Sequence, residues 1–460
     1  MPMRSPGYWR GVRAVPEHKT IPSYLACVAQ QIRWKRARSV VIAELEQHLE
    51  DQRDAFAAEG CGNAEQLAVE EMGDPVSVGL ELDSIHRPKP QWDLLILTML
   101  LALAGTAFRM WLMATSTSYP AAIDPLKTII AFALGCSALV AGYLGDYARL
   151  GRHAGKIYVA ALIAGASALL CSPQANGVPY YARYVAWFYP VVYAFWLYTC
   201  RRKGWLGLLR AILGGIPLAL ICLRIPYLSG LFLFLLTGFV LLLAAAWSDW
   251  FGIGRWQSVL PPIISAAVLA GLSLPLSIHR LDAAFHPEQN LSGSGYLSHT
   301  IQKMLQVSPW LGEGSWNISS SSLPFEQTVP NYDSDALLTT LIYKLGWLPF
   351  LGIILVFALL MALLLHRCLH QNSRLSRLVV SSILLPLCIR ALCSTAWNLG
   401  FTLLDFPFPF MVGNLTTVLD MWLIGWALSI LREDRIIQDF IYKKSFFPPY
   451  RIKILIQKYE

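Results

Sequence analysis

Charge is scarce in this chain of 460 residues. Asp, Glu, Lys and Arg together make up only 14%, against 55% hydrophobic residues, and the mean hydropathy is +0.47. A soluble domain carries about a quarter charged residues, so the composition excludes a water-soluble globule and reads as a membrane protein. Acid is the scarcer sign, leaving a net charge of +8. That balance suits basic loops facing an anionic inner leaflet better than a nucleic-acid surface, and no nucleic-acid partner is expected.

Paired cysteines are also missing. The nine cysteines contain no CxxC, and Cys136, Cys222, Cys388 and Cys393 lie inside apolar runs. They read as small core residues rather than a zinc site or disulfide frame. His366 and His370, four apart, sit at the basic end of an apolar segment beside Arg367 and Arg374, which disfavours a metal between them. No cleavable signal peptide is expected, because the first apolar stretch lies within a charged, helical region.

What is present divides into three parts. Residues 1–90 read as a cytoplasmic helical domain. From Ile32 to Leu49 the apolar residues Val41, Leu45 and Leu49 recur at helical spacing. Gly60-Cys-Gly-Asn63 breaks that helix, with Asn63 placed to cap the next. Gly73-Asp-Pro75 ends the second and starts a third, Pro75 suiting a first turn, and His86-Arg-Pro-Lys-Pro90 forms a stiff basic linker. Over about 25–87, Glu44-Leu-Glu-Gln-His-Leu49 and Glu71-Met-Gly-Asp-Pro75 resemble the small helical prefix domain ahead of some bacterial permeases. Residues 91–432 form a transmembrane domain. Residues 433–460 form a basic tail, in which Lys443, Lys444, Arg451 and Lys453 near Phe446, Phe447 and Tyr450 suit a surface-lying cytoplasmic segment.

A spanning helix needs about 20 mostly apolar residues. The rule predicts an all-α, polytopic protein of about ten spans, near 93–114, 125–145, 157–172, 184–200, 206–223, 228–248, 258–277, 336–365, 375–398 and 410–431. Lys and Arg set the orientation. Arg149, Arg152 and Lys156 follow the second span, Arg201, Arg202 and Lys203 the fourth, Arg255 the sixth, and Arg367, Arg374 and Arg377 the eighth. The alternate loops carry isolated cations such as Lys127, Arg183 and Arg224. Both termini are therefore expected inside, and the long loop of about 278–335, between the seventh and eighth spans, outside.

That loop is rich in Gly, Ser, Asn and aromatics, and ends in Val329-Pro-Asn-Tyr-Asp-Ser-Asp335 directly before an apolar run. Polar residues where a loop meets a membrane helix mark a functional site. Arg109 and Arg390 lie within apolar spans, where a charge costs a few kcal/mol and calls for a cavity or a partner. Pro190, Pro217 and Pro226 either open a groove by breaking spans or only bend helices.

An ordered series of motifs crosses the loop: Arg280-Leu-Asp-Ala-Ala-Phe285-His-Pro287, Gly295-Tyr296, Gly312-Glu-Gly314, Val329-Pro-Asn-Tyr-Asp-Ser-Asp335 and Leu345-Gly346. Asn398-Leu-Gly400, Phe408-Pro409-Phe410 and Thr416-Thr417 follow. Over about 92–432 this order resembles the SEDS family, the RodA/FtsW-like shape, elongation, division and sporulation proteins. Four positions depart from the family pattern. Tyr189-Pro190-Val-Val192 lacks its Glu, Pro226-Tyr227-Leu-Ser229 lacks its Asp, Tyr343-Lys344 replaces a Glu pair, and Asn331 replaces the Glu of Leu-Pro-Glu.

The resemblance implies a plasma-membrane peptidoglycan glycosyltransferase. Such an enzyme polymerises lipid II, the lipid-linked disaccharide–pentapeptide, at the outer face, beside a class B penicillin-binding protein that crosslinks the strands. Asp335 falls on the family's catalytic acid and is the expected general base, since a carboxylate at a partly desolvated interface suits that role. Asp333 either raises its pKa by like-charge repulsion or is simply solvated. Arg280 and Arg183 are candidates to hold pyrophosphate, or snorkel to headgroups. Gly312, Gly314, Asn398 and Pro409 complete the implied substrate-binding set. No metal ligands are assigned, and Mg or Mn assistance stays open. Two other classes remain: a non-catalytic scaffold or sensor, favoured by the missing acids, and an O-antigen polymerase or ligase using His279, His286 or His299.

Overall fold

The computed structural model describes residues 20–86, 91–115, 124–145, 151, 153–175, 177–225, 228–291, 293, 295–315, 328–371, 373–412 and 415–432. The basic tail, most of the linker, Pro226-Tyr227 and residues 316–327 of the long loop lie outside them, as do the side chains of His279 and Arg280. The chain separates into two compact units, 1–90 and 91–460.

The first unit is helical: α1 (Ile21–Gln31), α2 (Lys35–Ala58), α3 (Ala64–Met72) and α4 (Pro75–His86). The expected apolar stripe of α2 faces inward, with Val41 and Leu49 buried and Leu45 half-buried. Asn63 occupies the cap position of α3 without a side-chain hydrogen bond. The next helix, α4, does have a side-chain cap: the Asp74 carboxylate accepts from the Ser77 amide at 2.9 Å and hydroxyl at 2.7 Å. Helix α1 was not expected from the sequence.

The second unit is a multi-pass membrane bundle, all-α apart from two short strands (Gln174–Ala175 with Val178–Pro179). Among the described residues eight helices are long and apolar enough to cross a membrane. They are α5 (Trp92–Thr115), α6 (Pro125–Leu144), α7 (Ala154–Cys171), α10 (Gly204–Arg224), α11 (Leu228–Trp247), α15 (Trp347–Leu369), α16 (Arg374–Asn398) and α17 (Leu415–Arg432). Between them lie α8 (Ala182–Ala186), α9 (Tyr189–Thr199), α12 (Arg255–Phe285), α13 (Tyr296–Gln306) and α14 (Leu337–Leu345).

Three segments differ from expectation. The fourth expected span breaks between α8 and α9, where Pro190 sits in the first turn of the second piece. The seventh, α12, runs helical to Phe285, so the long loop starts later than hydropathy suggested. The eighth splits at Gly346, whose φ of 97° is left-handed and ends α14 before α15 begins. A Cβ there would fall against the Trp310 carbonyl.

Loop residues complete that break. The Gly312 amide donates to the Leu345 carbonyl at 3.0 Å, and the Gly314 amide to the Tyr343 carbonyl at 2.7 Å. The Trp347 and Leu348 amides donate to the carbonyls of Pro309 and Trp310. Backbone groups left over at two helix ends are thereby satisfied by one strap of loop, as a water-poor setting requires. Helix α6 packs along α17 through small residues: a Cβ on Gly425 would strike the Leu139 carbonyl, and one on Gly142 the Trp422 carbonyl.

Candidate active site

The site is built around the turn that precedes α14. Asn331 adopts φ 55°, a left-handed conformation that asparagine tolerates better than most residues. Its carbonyl accepts from the amides of Ser334 at 3.0 Å and Ala336 at 3.1 Å. The Thr340 hydroxyl closes the turn by donating to the Tyr332 carbonyl at 2.7 Å. Val329, Tyr332 and Ala336 pack with Ile301 and Met304 of α13 and with Trp397, so a second, small apolar core holds the turn from beneath.

That turn places Asp335 on the wall of a cavity of about 350 Å³ lined by Leu297, Pro330, Asn331, Asp335, Trp397, Thr402, Leu403 and Asp405. Asn331, which replaces an expected acid, donates from Nδ2 to Asp335 Oδ2 at 3.1 Å. Desolvation pushes the Asp335 carboxyl above the usual carboxylate range, and Asp405 pushes it further. The Asn331 hydrogen bond and the charge of Arg183 act the other way, and Asp333 adds a last, upward contribution.

Asn398, the last residue of α16, is fully buried and fixes this backbone. Its Nδ2 donates to the Asp335 carbonyl at 3.0 Å and to the Ser394 carbonyl at 2.8 Å. Its Oδ1 accepts from the Thr339 amide at 2.8 Å and hydroxyl at 2.9 Å. The residue therefore positions the acid rather than lining the cavity.

Arg109 and Arg390, expected to need partners within apolar spans, both have them. Arg109 of α5 donates to the Asp333 carbonyl at 2.5 Å and lies 3.8 Å from its carboxylate. With 13% of its side chain exposed, Asp333 is engaged rather than solvated. Arg390 of α16 meets Asp420 of α17 through two hydrogen bonds, at 2.5 and 3.1 Å, and its guanidinium lies 4.0 Å from the Trp187 ring centroid. Asp420 also accepts from the Phe410 amide at 3.3 Å, and Arg390 donates to the Pro407 carbonyl at 3.4 Å. This pair holds the segment containing Pro409, which is buried and outside the cavity lining.

Arg183 is half-buried. Its guanidinium rests 4.6 and 4.8 Å from the rings of Tyr180 and Tyr184 and donates to the Tyr184 hydroxyl at 2.9 Å. It is thus held by aromatic groups while its charge still reaches Asp335. Of the expected residues, Asp335, Asp333, Arg183 and Asn398 converge on one place. Gly312 and Gly314 instead strap the break between α14 and α15, where Lys344 Nζ also meets Glu313 at 2.6 Å.

Asp405 was missed by the sequence reading. It lies in the cavity wall, and the Ser229 hydroxyl donates to its Oδ1 at 2.8 Å. The available signal was a lone acid in the apolar run Leu403-Leu-Asp405-Phe-Pro407. Among the described residues no group of three or more His, Cys, Asp and Glu side chains gathers into a metal cluster. A magnesium ion takes one or two carboxylates together with substrate phosphates, so Asp335 and Asp405 alone are not a dedicated cage.

No protein-family model matches the chain, and no curated protein matches it in sequence. Solved structures do. One chain of a peptidoglycan synthase complex, from work on the coordination of polymerization and crosslinking, superposes with a TM-score of 0.57 at 18% identity, over 75% of this chain and 98% of that one. The rod shape determining protein RodA of Thermus thermophilus matches over 75% of this chain and 97% of its own, at 16% identity and a TM-score of 0.47. An Asp-to-Ala variant of it matches at 15% and 0.49. The membrane unit thus has the fold of the synthase chain, the SEDS-family fold that the order of its motifs implied.

Proposed function

We propose that this protein is a membrane glycosyltransferase that polymerises lipid II into glycan strands at the outer face of the plasma membrane, with Asp335 as general base. The observation that carries the reading is a carboxyl raised by desolvation on the wall of a polar cavity, in a fold shared with a peptidoglycan synthase chain. In the reaction a sugar hydroxyl of one lipid-linked chain attacks the anomeric carbon of another. The new C–O bond forms as the bond to pyrophosphate breaks. The hydroxyl proton passes to Asp335, and the polyprenyl pyrophosphate leaves with the bonding electrons.

Arg183 supplies positive charge near that path, and its aromatic setting keeps the guanidinium from pairing fully with the base. Asp333, pinned by Arg109, fixes the turn. Both termini face the cytoplasm in this reading, which puts Asp335 outside, within reach of a class B penicillin-binding protein that crosslinks the product.

The altered residues Tyr343, Lys344 and Val192 keep a second reading, a non-catalytic scaffold of the wall machinery, in view. Purified protein in vesicles with lipid II separates the two. Polymer is expected from the wild type. Asp335→Asn should reduce it by about a hundredfold or more, the usual contribution of a general base, without loss of folding. Full activity in that variant removes Asp335 from the mechanism. Absence of polymer from the wild type, even with its transpeptidase, overturns the polymerase reading and favours the scaffold.

A further inference from the structure

The cavity is lined by two carboxylates, contributed by segments far apart in sequence. Asp335 comes from the turn before α14, and Asp405 from the loop after α16. Ser229, buried near the start of α11, donates its hydroxyl to Asp405 Oδ1 at 2.8 Å. That hydrogen bond fixes where the Asp405 carboxylate stands in the cavity wall.

We propose that Asp405 is a positioning residue of the site: tethered by Ser229, its charge shares the cavity with Asp335 and keeps that carboxylate able to accept a hydroxyl proton. The proposal rests on the reading of Asp335 as the base.

The surroundings of Asp335 leave this task to Asp405. Asp333, on the same turn, is engaged by Arg109 from α5. From α8, Arg183 opposes it with positive charge. Helices α13 and α16 add uncharged Leu297 and Trp397 to the lining. The charge of Asp405 raises Asp335 more than that of Asp333 does. Without Asp405, desolvation and the small contribution of Asp333 alone would stand against Arg183 and the Asn331 hydrogen bond, and Asp335 would become a weaker base.

Two readouts test this. The first is the pH dependence of polymerisation in vesicles. The second is labelling of Asp335 by a water-soluble carbodiimide, which needs the protonated carboxyl, followed by peptide mass spectrometry across pH. Asp405→Asn keeps the shape and the acceptor for Ser229. It should move the acid limb of the rate profile and the labelling midpoint together to lower pH, and lower the plateau rate. Ser229→Ala, which loosens Asp405 and leaves both acids present, should move the midpoint the same way by less, and it decides the matter if Asp405→Asn does not fold. A rate loss with an unmoved midpoint, in whichever variant folds, overturns the proposal. Absence of polymer from the wild type defeats the enzyme reading and the role of Asp405 in it, and the labelling shift then reports only the coupling of the two acids.

Discussion

Asn398 donates to the backbone carbonyl of Asp335 at 3.0 Å across 63 residues of sequence, while its own carbonyl group receives the Thr339 amide and hydroxyl. One buried amide side chain therefore joins the end of α16 to the start of α14 and sets where the acid stands. All the side-chain hydrogen-bonding groups of Asn398 are used, which is the condition for a buried amide to stabilise rather than cost.

Asn398→Ala should consequently harm both stability and activity. It strands the Thr339 amide in the interior, and a buried polar group without a partner costs about 1–3 kcal/mol. A fall in Tm in detergent should accompany a loss of polymerisation larger than the loss of folded protein. A variant that keeps wild-type activity per folded molecule would show that the Asp335 backbone does not need this anchor.

Arg390 and Asp420 lend themselves to a double-mutant cycle. Both are almost fully buried, so removing one partner leaves a charge in a setting where desolvation is expensive. Single changes such as Arg390→Met or Asp420→Asn should each cost about 3–5 kcal/mol, whereas the pair removed together should recover much of that. Thermal unfolding of the four proteins measures it. Additive losses would mean that the Trp187 contact and the Phe410 amide, rather than the ion pair, hold this part of the bundle.

The periodicity of hydrophobic residues disclosed most of the bundle, because a helix surrounded by lipid must be apolar over its full length. It failed where a helix is interrupted. Gly346 sits in an apolar run where the lone charge of Lys344 is too little to mark an interruption, and its break is completed by Gly312 and Gly314, some thirty residues away. Arg109 and Arg390 were recognisable as needing partners, but Asp333 and Asp420 could not be paired to them from spacing alone, since one pair spans 224 residues. Asp335 was legible because it ends a polar run. Asp405, alone among aromatics and prolines, carried a weaker signal that only its place in the cavity made plain.

The raised carboxyl of Asp335 has a consequence for stability against pH. A group whose folded pKa lies above its unfolded value binds its proton more tightly in the folded state. Its contribution is fully present below the unfolded pKa, about 3.9 for Asp, and is lost as pH rises through the folded pKa. Above its folded pKa the protein holds this carboxylate charged against desolvation and against Asp405. Asp335→Asn removes that charge and preserves an acceptor for Asn331. The variant should melt higher than the wild type at pH above the folded pKa of Asp335, with the gap closing as pH falls through it. Other carboxylates are common to both proteins and drop out of the difference. A gap that stays constant with pH would mean that Asp335 ionises as it does in the unfolded chain, and would leave the site without the strengthened base that the proposed reaction requires. Stability exchanged for activity at one residue is the pattern expected of a base held ready for a proton.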